Sequence, residues 1–304
     1  MVRVEFLDDP ALVLERAGEF LARDGLLNTV VASVTTRAVA EDALGVERDP
    51  DVPRWWAVLT DEASEDHEVV GVAMRTALGP PYPLYVLQMP GEAAAAFAQA
   101  LVDRGEEVTA ANGVLPATRV VADHLARGAG RSVVESQRTR LFELGELRPP
   151  LASPSGALRL AEGADAELCL AWFVAFLADA DEQAGRERGS SPEIGAHTLE
   201  EMQRRIADQR IWLWELPDGE VVHLTAANPP SFGVSRVGPV YTPPEHRGHG
   251  YASAAVAEVS GLIRSSGARV CLFTDQANPT SNKIYTALGY EPVADLVSLE
   301  LVSA

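Results

Sequence analysis

Apolar residues recur along this chain in two spacings, every second position over short runs and every third or fourth over longer ones. The first spacing marks strands and the second marks helices. In the second half, 157–160 predicts an opening strand, and 165–178 predicts a helix with Leu168, Trp172 and Phe176 on one face. A further helix is expected over 199–207. The runs 211–214 and 221–224 form a hairpin across Pro217-Asp218-Gly219, since Asp-Gly favours a tight turn. A strand over 235–241 ends at Pro243-Pro244, because proline cannot donate to a ladder. The helix 250–264 shows a buried stripe of Ala252, Val256, Val259 and Ile263. The run 269–274 is apolar on both faces, as a central strand should be. A helix over 281–288 stops at Gly289, and 296–302 alternates as a last strand.

The first half repeats this grammar loosely. Strands are expected at 55–58, 69–73, 84–87, 108–111 and 139–144, with helices at 91–102 and 118–125. Trp56 and Phe142 are spaced almost as Trp212 and Leu299 are, although Asn112 and Asn278 fall out of register. Between the halves, residues 145–156 carry three prolines, two glycines and two serines, which suits an exposed linker. The pattern predicts an α/β chain of α+β character with a mixed sheet. It consists of two similar domains in tandem, 1–145 and 157–304, joined by the linker 146–156.

Composition excludes several classes. No apolar run approaches the ~20 residues of a membrane-spanning helix, and acids within the first ten residues replace the apolar core of a signal peptide. A net charge of −19 argues against a nucleic-acid partner. Cys169 and Cys271 both lie in apolar runs and are expected as buried thiols. No metal site is expected. The expectation is a cytoplasmic protein with neither membrane nor nucleic-acid partner; its oligomeric state is not legible.

The candidate chemistry lies at Arg247-Gly248-His249-Gly250-Tyr251-Ala252, between a strand and an amphipathic helix. The glycines admit a tight turn and close approach of a ligand. The first amides of the helix lack internal partners and sit at the positive end of its dipole, so the loop suits a pyrophosphate. A dinucleotide-binding fingerprint would want glycine or alanine where Ser253 stands, and a Walker loop would want a lysine.

The run from Val240 to Ala252 resembles the cofactor motif of the GNAT acetyltransferase superfamily, Arg/Gln-x-x-Gly-x-Gly/Ala. Further on, Asn278-Pro279-Thr280-Ser281-Asn282-Lys283-Ile284-Tyr285-Thr286-Ala287-Leu288-Gly289-Tyr290 resembles that family's Asn-rich helix ending in Tyr-x-x-Leu-Gly-Phe/Tyr. The resemblance covers 157–304 and implies a GNAT-type fold, acetyl-CoA as acyl donor and direct transfer of acetyl to an amine. It implies that the backbone of Val240, Tyr241 and Thr242 holds the pantetheine and thioester, and that the amides of Arg247, Gly248, His249, Gly250, Tyr251 and Ala252 hold the pyrophosphate. Asn278 and Asn282 would bind the pantetheine arm, and Tyr285 would protonate the departing thiolate.

No base is evident. His223, Glu215, Asp275 and Glu245 are candidates beside a water relay or the terminal carboxylate region. Asp179, Asp181, Glu182, Glu187 and Glu193 are expected to follow the helix 165–178, in the segment that the resemblance implies contacts the acceptor; they would form a solvated acidic loop or attract a polyamine or aminoglycoside. In the first half Pro90-Gly91-Glu92-Ala93-Ala94 replaces the loop motif, and Glu92 would repel a pyrophosphate. That half would be a degenerate copy without an intact acetyl-CoA motif. The leading expectation is an acyltransferase acting on a small-molecule primary amine. The alternatives are a non-catalytic acyl-CoA-binding regulator and a protein or peptide N-acetyltransferase.

Overall fold

A computed structural model describes residues 1–303 apart from 48, 78, 192, 193 and 196. The chain forms two compact units, one of Met1–Thr139 with the segment from Ala294 onward, the other of Arg140–Val293.

The first unit runs β1 (Val2–Leu7), α1 (Pro10–Arg23), α2 (Thr29–Ala43), β2 (Trp55–Asp61), β3 (Val69–Arg75), β4 (Leu84–Val86), α3 (Gly91–Asp103), β5 (Ala110–Val114), α4 (Ala117–Ala129) and the start of β6 (Arg131–Leu144). The second runs β7 (Ala157–Leu160), α5 (Ala166–Gln183), α6 (Leu199–Ala207), β8 (Ile211–Glu215), β9 (Val221–Ala227), β10 (Val234–Tyr241), α7 (Tyr251–Ser265), β11 (Arg269–Asp275), α8 (Pro279–Ala287) and the start of β12 (Tyr290–Ser303). The same succession of strand, two helices, three strands, helix, strand, helix and strand occurs twice. The uneven spacing of Asn112 and Asn278 has a simple origin, since Asn112 lies inside β5 whereas Asn278 caps α8.

In the first unit β1 to β4 pair antiparallel in order, and β4 pairs parallel with β5. Both faces of this sheet are covered, which is why β2 is apolar throughout. Trp55, Ala57 and Leu59 pack with Phe97, Leu101 and Val121 of α3 and α4. Trp56 and Val58 pack with Val13, Leu21 and Val31 of α1 and α2. In the second unit β7 to β10 are likewise antiparallel, and β10 is parallel to β11. There Cys169 and Phe173 of α5 pack with Met202 of α6 and Leu213 of β8. Val256 and Val259 of α7 join a cluster with Leu272, Tyr285 and Leu288.

The units do not coincide with the expected halves 1–145 and 157–304. From Arg140 on, β6 belongs to the second unit and lies beside β11, where Glu143 pairs with Arg269 at 2.7 Å. From Ala294 on, β12 belongs to the first unit, where Leu296↔Val114 through Glu300↔Ala110 form an antiparallel ladder. The two copies have exchanged their last strands. Such pairing between distant segments leaves no local signature in the sequence. The expected linker is also held at its start, since the amides of Gly145 and Arg148 donate to the carbonyls of Gly289 and Leu288 at 3.0 Å.

One predicted face is rotated and one is broader than expected. Helix α5 buries Cys169 and Phe173, whereas Leu168, Trp172 and Phe176 are half-buried, because apolar residues surround most of this helix and no stripe dominates. On α7 the expected Val256, Val259 and Ile263 are buried together with Tyr251, Ala254, Ala255, Ala257 and Ser260, while Ala252 is half-buried.

Candidate functional site

The site grows from the end of β10. Its parallel pairing with β11 stops at Val237↔Leu272, yet β10 runs on to Tyr241 and β11 to Asp275. A register shift on the β9 side falls between Val237 and Val240, where Gly238-Pro239 interrupts the ladder. Beyond Val237 the two parallel strands therefore share no ladder bonds, which leaves a slit between Val240-Tyr241 and the end of β11. The first unit offers the contrast. Val86, at the end of β4, still pairs with Gly113 of β5. A Cβ at Gly113 would stand 2.0 Å from the Val86 carbonyl oxygen, so glycine is what allows this close approach. The slit is closed there.

After Tyr241 the chain makes a 3₁₀ turn over Pro244–His246 and enters α7 through Gly248 and Gly250, at φ of +83° and +86°. Added Cβ atoms at either glycine would meet nothing within 4 Å, so the space before the helix is open. Among the described residues no amide from Gly248 to Ser253 donates to a protein acceptor; the first intrahelical bond is Ala254 to the Gly250 carbonyl at 3.1 Å. Six consecutive free amides at a helix N-terminus present an anion cradle. His249 and Tyr251 stack above it with ring centroids 5.7 Å apart. In the first unit Pro90 caps α3 directly, without a comparable glycine pair, and Glu92 occupies the first turn.

The Arg247 side chain does not reach into the cradle. Its Nε donates to the Thr242 carbonyl at 2.9 Å, and Nη2 pairs with Asp179 of α5. Asp179 also holds Arg188, which bonds Glu182 at 3.3 Å. These groups, with Gln183 and Pro244, line a cleft of about 400 Å³. The expectation that these acids follow the first helix is corrected: Asp179, Asp181 and Glu182 lie within α5. Asp181 is fully buried, accepting from Arg186 at 2.9 Å and from the Ser191 amide at 2.9 Å, and so holds the following loop. Glu193 and the terminal carboxylate lie outside the described residues.

Asn278 caps α8, its Oδ1 accepting from the Ser281 amide at 3.0 Å while its Nδ2 donates to Gln183 at 2.8 Å. Asn282 donates to the carbonyls of Asp275 and Asn278 at 3.1 and 2.7 Å. Both side chains thus shape the turn between β11 and α8. Tyr285 is 8% exposed and meets Tyr290 edge-on at 5.9 Å, within the cluster that contains Val237 and Leu272. Burial pushes its phenol up to about 12, so it keeps its proton at neutral pH.

Of the four candidate bases, three are engaged and one is exposed. Glu215 accepts from Arg159 at 2.5 Å. Asp275 accepts from the Ala277 amide at 2.8 Å. Glu245 sits on the exposed 3₁₀ turn. His223 is wholly buried, with Nδ1 2.7 Å from the Thr242 hydroxyl and Nε2 2.7 Å from that of Thr225. Burial lowers its pKa to about 3, so the ring is neutral. Sequence reasoning missed these partners because hydroxyls nineteen and two positions away carry no motif. Both cysteines are buried free thiols, and no group of residues suited to a metal ion occurs among the described residues. No described helix is long and apolar enough to cross a membrane.

Residues 220–297 match the FR47-like protein family model. No curated protein matches the chain. Among solved structures it is similar to a GNAT-family acetyltransferase from Colwellia psychrerythraea (TM-score 0.57, 12% identity, 99% of each chain covered). It is also similar to a GCN5-related N-acetyltransferase from Sphaerobacter thermophilus (0.57, 19% identity, 98% of this chain and 95% of that one). A tandem GNAT protein from the clavulanic acid biosynthesis pathway aligns over 98% of both chains, with TM-score 0.54 and 14% identity. The chain has the GNAT acetyltransferase fold, built twice in tandem, and the FR47-like match falls on the copy with the open slit and the free amides.

Proposed function

We propose that the second unit is an acetyl-CoA-dependent N-acetyltransferase acting on a primary amine of a small molecule, and that the first unit, a degenerate copy, binds no acetyl-CoA. The observation that carries this reading is the pairing of the slit after Val237 with six unbonded amides at Gly248–Ser253. A thioester arm laid against Val240 to Thr242 would find backbone donors on one side, and its pyrophosphate would meet the amides of Gly248 to Ala252; the expected Arg247 amide is instead taken by the Pro244 carbonyl at 3.3 Å. Asn278 and Asn282 would present the β11–α8 turn to the arm. Acyl transfer forms a bond from the neutral amine nitrogen to the acetyl carbon and breaks the carbon–sulfur bond; the nitrogen gives up one proton and the departing thiolate takes one up, so the products are the amide and the free thiol. Tyr285 would supply a hydrogen bond to that sulfur; a phenol held near 12 is a better donor of a hydrogen bond than of a free proton.

One observation favours a second reading. The candidate bases are bonded, buried neutral or exposed, so an acyl-CoA-binding regulator needs no residue that the structure lacks. Calorimetric titration with acetyl-CoA, followed by thiol release over a panel of amines, separates the two. One molecule bound per chain with thiol released supports the enzyme. Binding without release from any amine supports the regulator, and two equivalent sites or no binding would refute both.

A further inference from the structure

A loop that offers its amides to an anion faces a structural problem: those amides cannot also hold the loop. Between Thr242 and Gly250 the two prolines have no N–H to give, and the only backbone bonds are His246 to Pro243 at 3.0 Å and Arg247 to Pro244 at 3.3 Å among the described residues. The loop must be fixed by side chains at its base.

The base is fixed by His223. Its two ring nitrogens lie 2.7 Å from the hydroxyls of Thr242 and Thr225. A neutral imidazole has one N–H, so it donates to one hydroxyl and accepts from the other, and the ring can turn neither way without losing both bonds. Thr242 is the first residue beyond β10, and its carbonyl accepts from Arg247 Nε at 2.9 Å. The chain of contacts runs from the buried centre of β9 through Thr242 to the residue just before the two glycines.

The first unit repeats the device in different chemistry. Thr225 pairs with Val240 and Ala73 pairs with Val86, so two residues back along β9 and β3 stand His223 and Gly71 at equivalent places. Gly71 has no side chain, and Met89, from the short loop after β4, fills that space: a Cβ at Gly71 would lie 2.8 Å from the Met89 Cβ. Where the loop has no anion to bind, an apolar side chain packs it down. Where the amides stay free, a histidine ties it.

We propose that His223 is a positioning residue for the cofactor loop, acting through Thr242 to hold residues 242–247 in the form that presents the amides of Gly248 to Ser253. This rests on reading that loop as the acetyl-CoA site. A neutral hydrogen bond is worth about 0.5–1.5 kcal/mol, so its loss corresponds to at most about tenfold.

The full-length chain is compared with His223→Leu, Thr242→Val, their double variant and His223→Asn, whose amide can occupy the place of Nδ1. Calorimetry should give an acetyl-CoA Kd raised about tenfold in each of the first two, and raised no further in the double variant. His223→Asn should recover to within about threefold. Hydrogen exchange of the His246 and Arg247 amides in the ligand-free protein should quicken about tenfold in Thr242→Val. If His223→Leu fails to fold, Thr242→Val, just beyond the end of β10 and only half-buried, carries the test. A Kd unchanged in Thr242→Val, or losses that multiply in the double variant, would overturn the proposal. If the wild type binds no acetyl-CoA, the functional reading falls, and exchange alone then decides whether His223 anchors the loop.

Discussion

Replacing Gly250 by valine tests the phosphate cradle against a control that the same helix supplies. Gly250 sits before α7 at φ +86°, and Gly267 follows the helix at φ +89°. At both, a new Cβ meets nothing within 4 Å, so neither substitution clashes with the protein. Both force a β-branched residue into the left-handed region, at about 1–3 kcal/mol each, and each should lower the melting temperature by a similar few degrees. Only Gly250 borders the free amides, since the fifteen residues of α7 separate the two sites by about 22 Å. Gly250→Val should therefore weaken acetyl-CoA binding at least tenfold, about 1.4 kcal/mol, while Gly267→Val should leave Kd within about twofold. Calorimetry gives the Kd, and thermal melts without ligand give the shared strain. A folded Gly250→Val with wild-type affinity would show that the phosphates lie elsewhere. Equal weakening by both would mean that α7 strain, not blockage, controls binding.

Tyr285→Phe keeps the ring in its cluster and removes the hydroxyl, so thiol-release turnover should fall by something like ten- to a thousandfold with little change in Kd. Turnover and affinity lost together would give the hydroxyl a binding role, and full activity would remove Tyr285 from the mechanism. In the first unit, Gly113→Ala places a methyl 2.0 Å from the Val86 carbonyl oxygen and should destabilise by about 3 kcal/mol or more, read by denaturant unfolding; a neutral result would mean that the β4–β5 approach is not tight. The His223 ring, held down to about 3 from 6.5, is protonated in the unfolded chain before the folded one as pH falls. Its contribution is complete above about pH 6.5 and declines below it, by about 2 kcal/mol at pH 5. Melts between pH 7 and 5 should show this slope in the wild type and not in His223→Asn.

The loop from Arg247 to Ala252 and its flanking strand and helix were legible because they are local: glycines that need positive φ, a proline stop, and an apolar stripe behind them. Hairpins with Asp-Gly turns were legible for the same reason. What was not legible is what depends on partners distant in sequence. Asp179 is one acid among several until α5 sets it against Arg247 and Arg188. The alternation through Val222-His223-Leu224 reads as a plain strand until Thr242 arrives at the ring. Residues 1–54 gave no prediction, although α1 there has the buried stripe Val13, Ala17 and Leu21 and an Asp9 cap. That stripe and cap are as local as the glycine loop.

The exchanged strands set an order on synthesis. Leu299 and Leu301 complete the apolar cluster of the first unit, yet both are translated after the whole of the second unit. Roughly 150 residues must be added between the end of β6 and the start of that segment, about 8 to 30 s at 5–20 residues per second. Through that interval β5 waits on the ribosome with one edge unpaired and part of its cluster open to water. The nascent first unit is therefore an incomplete fold that a chaperone could hold, and it closes only once the second copy has been made. Terminal strands traded in this way convert two units that could complete one after the other into a pair that finishes together.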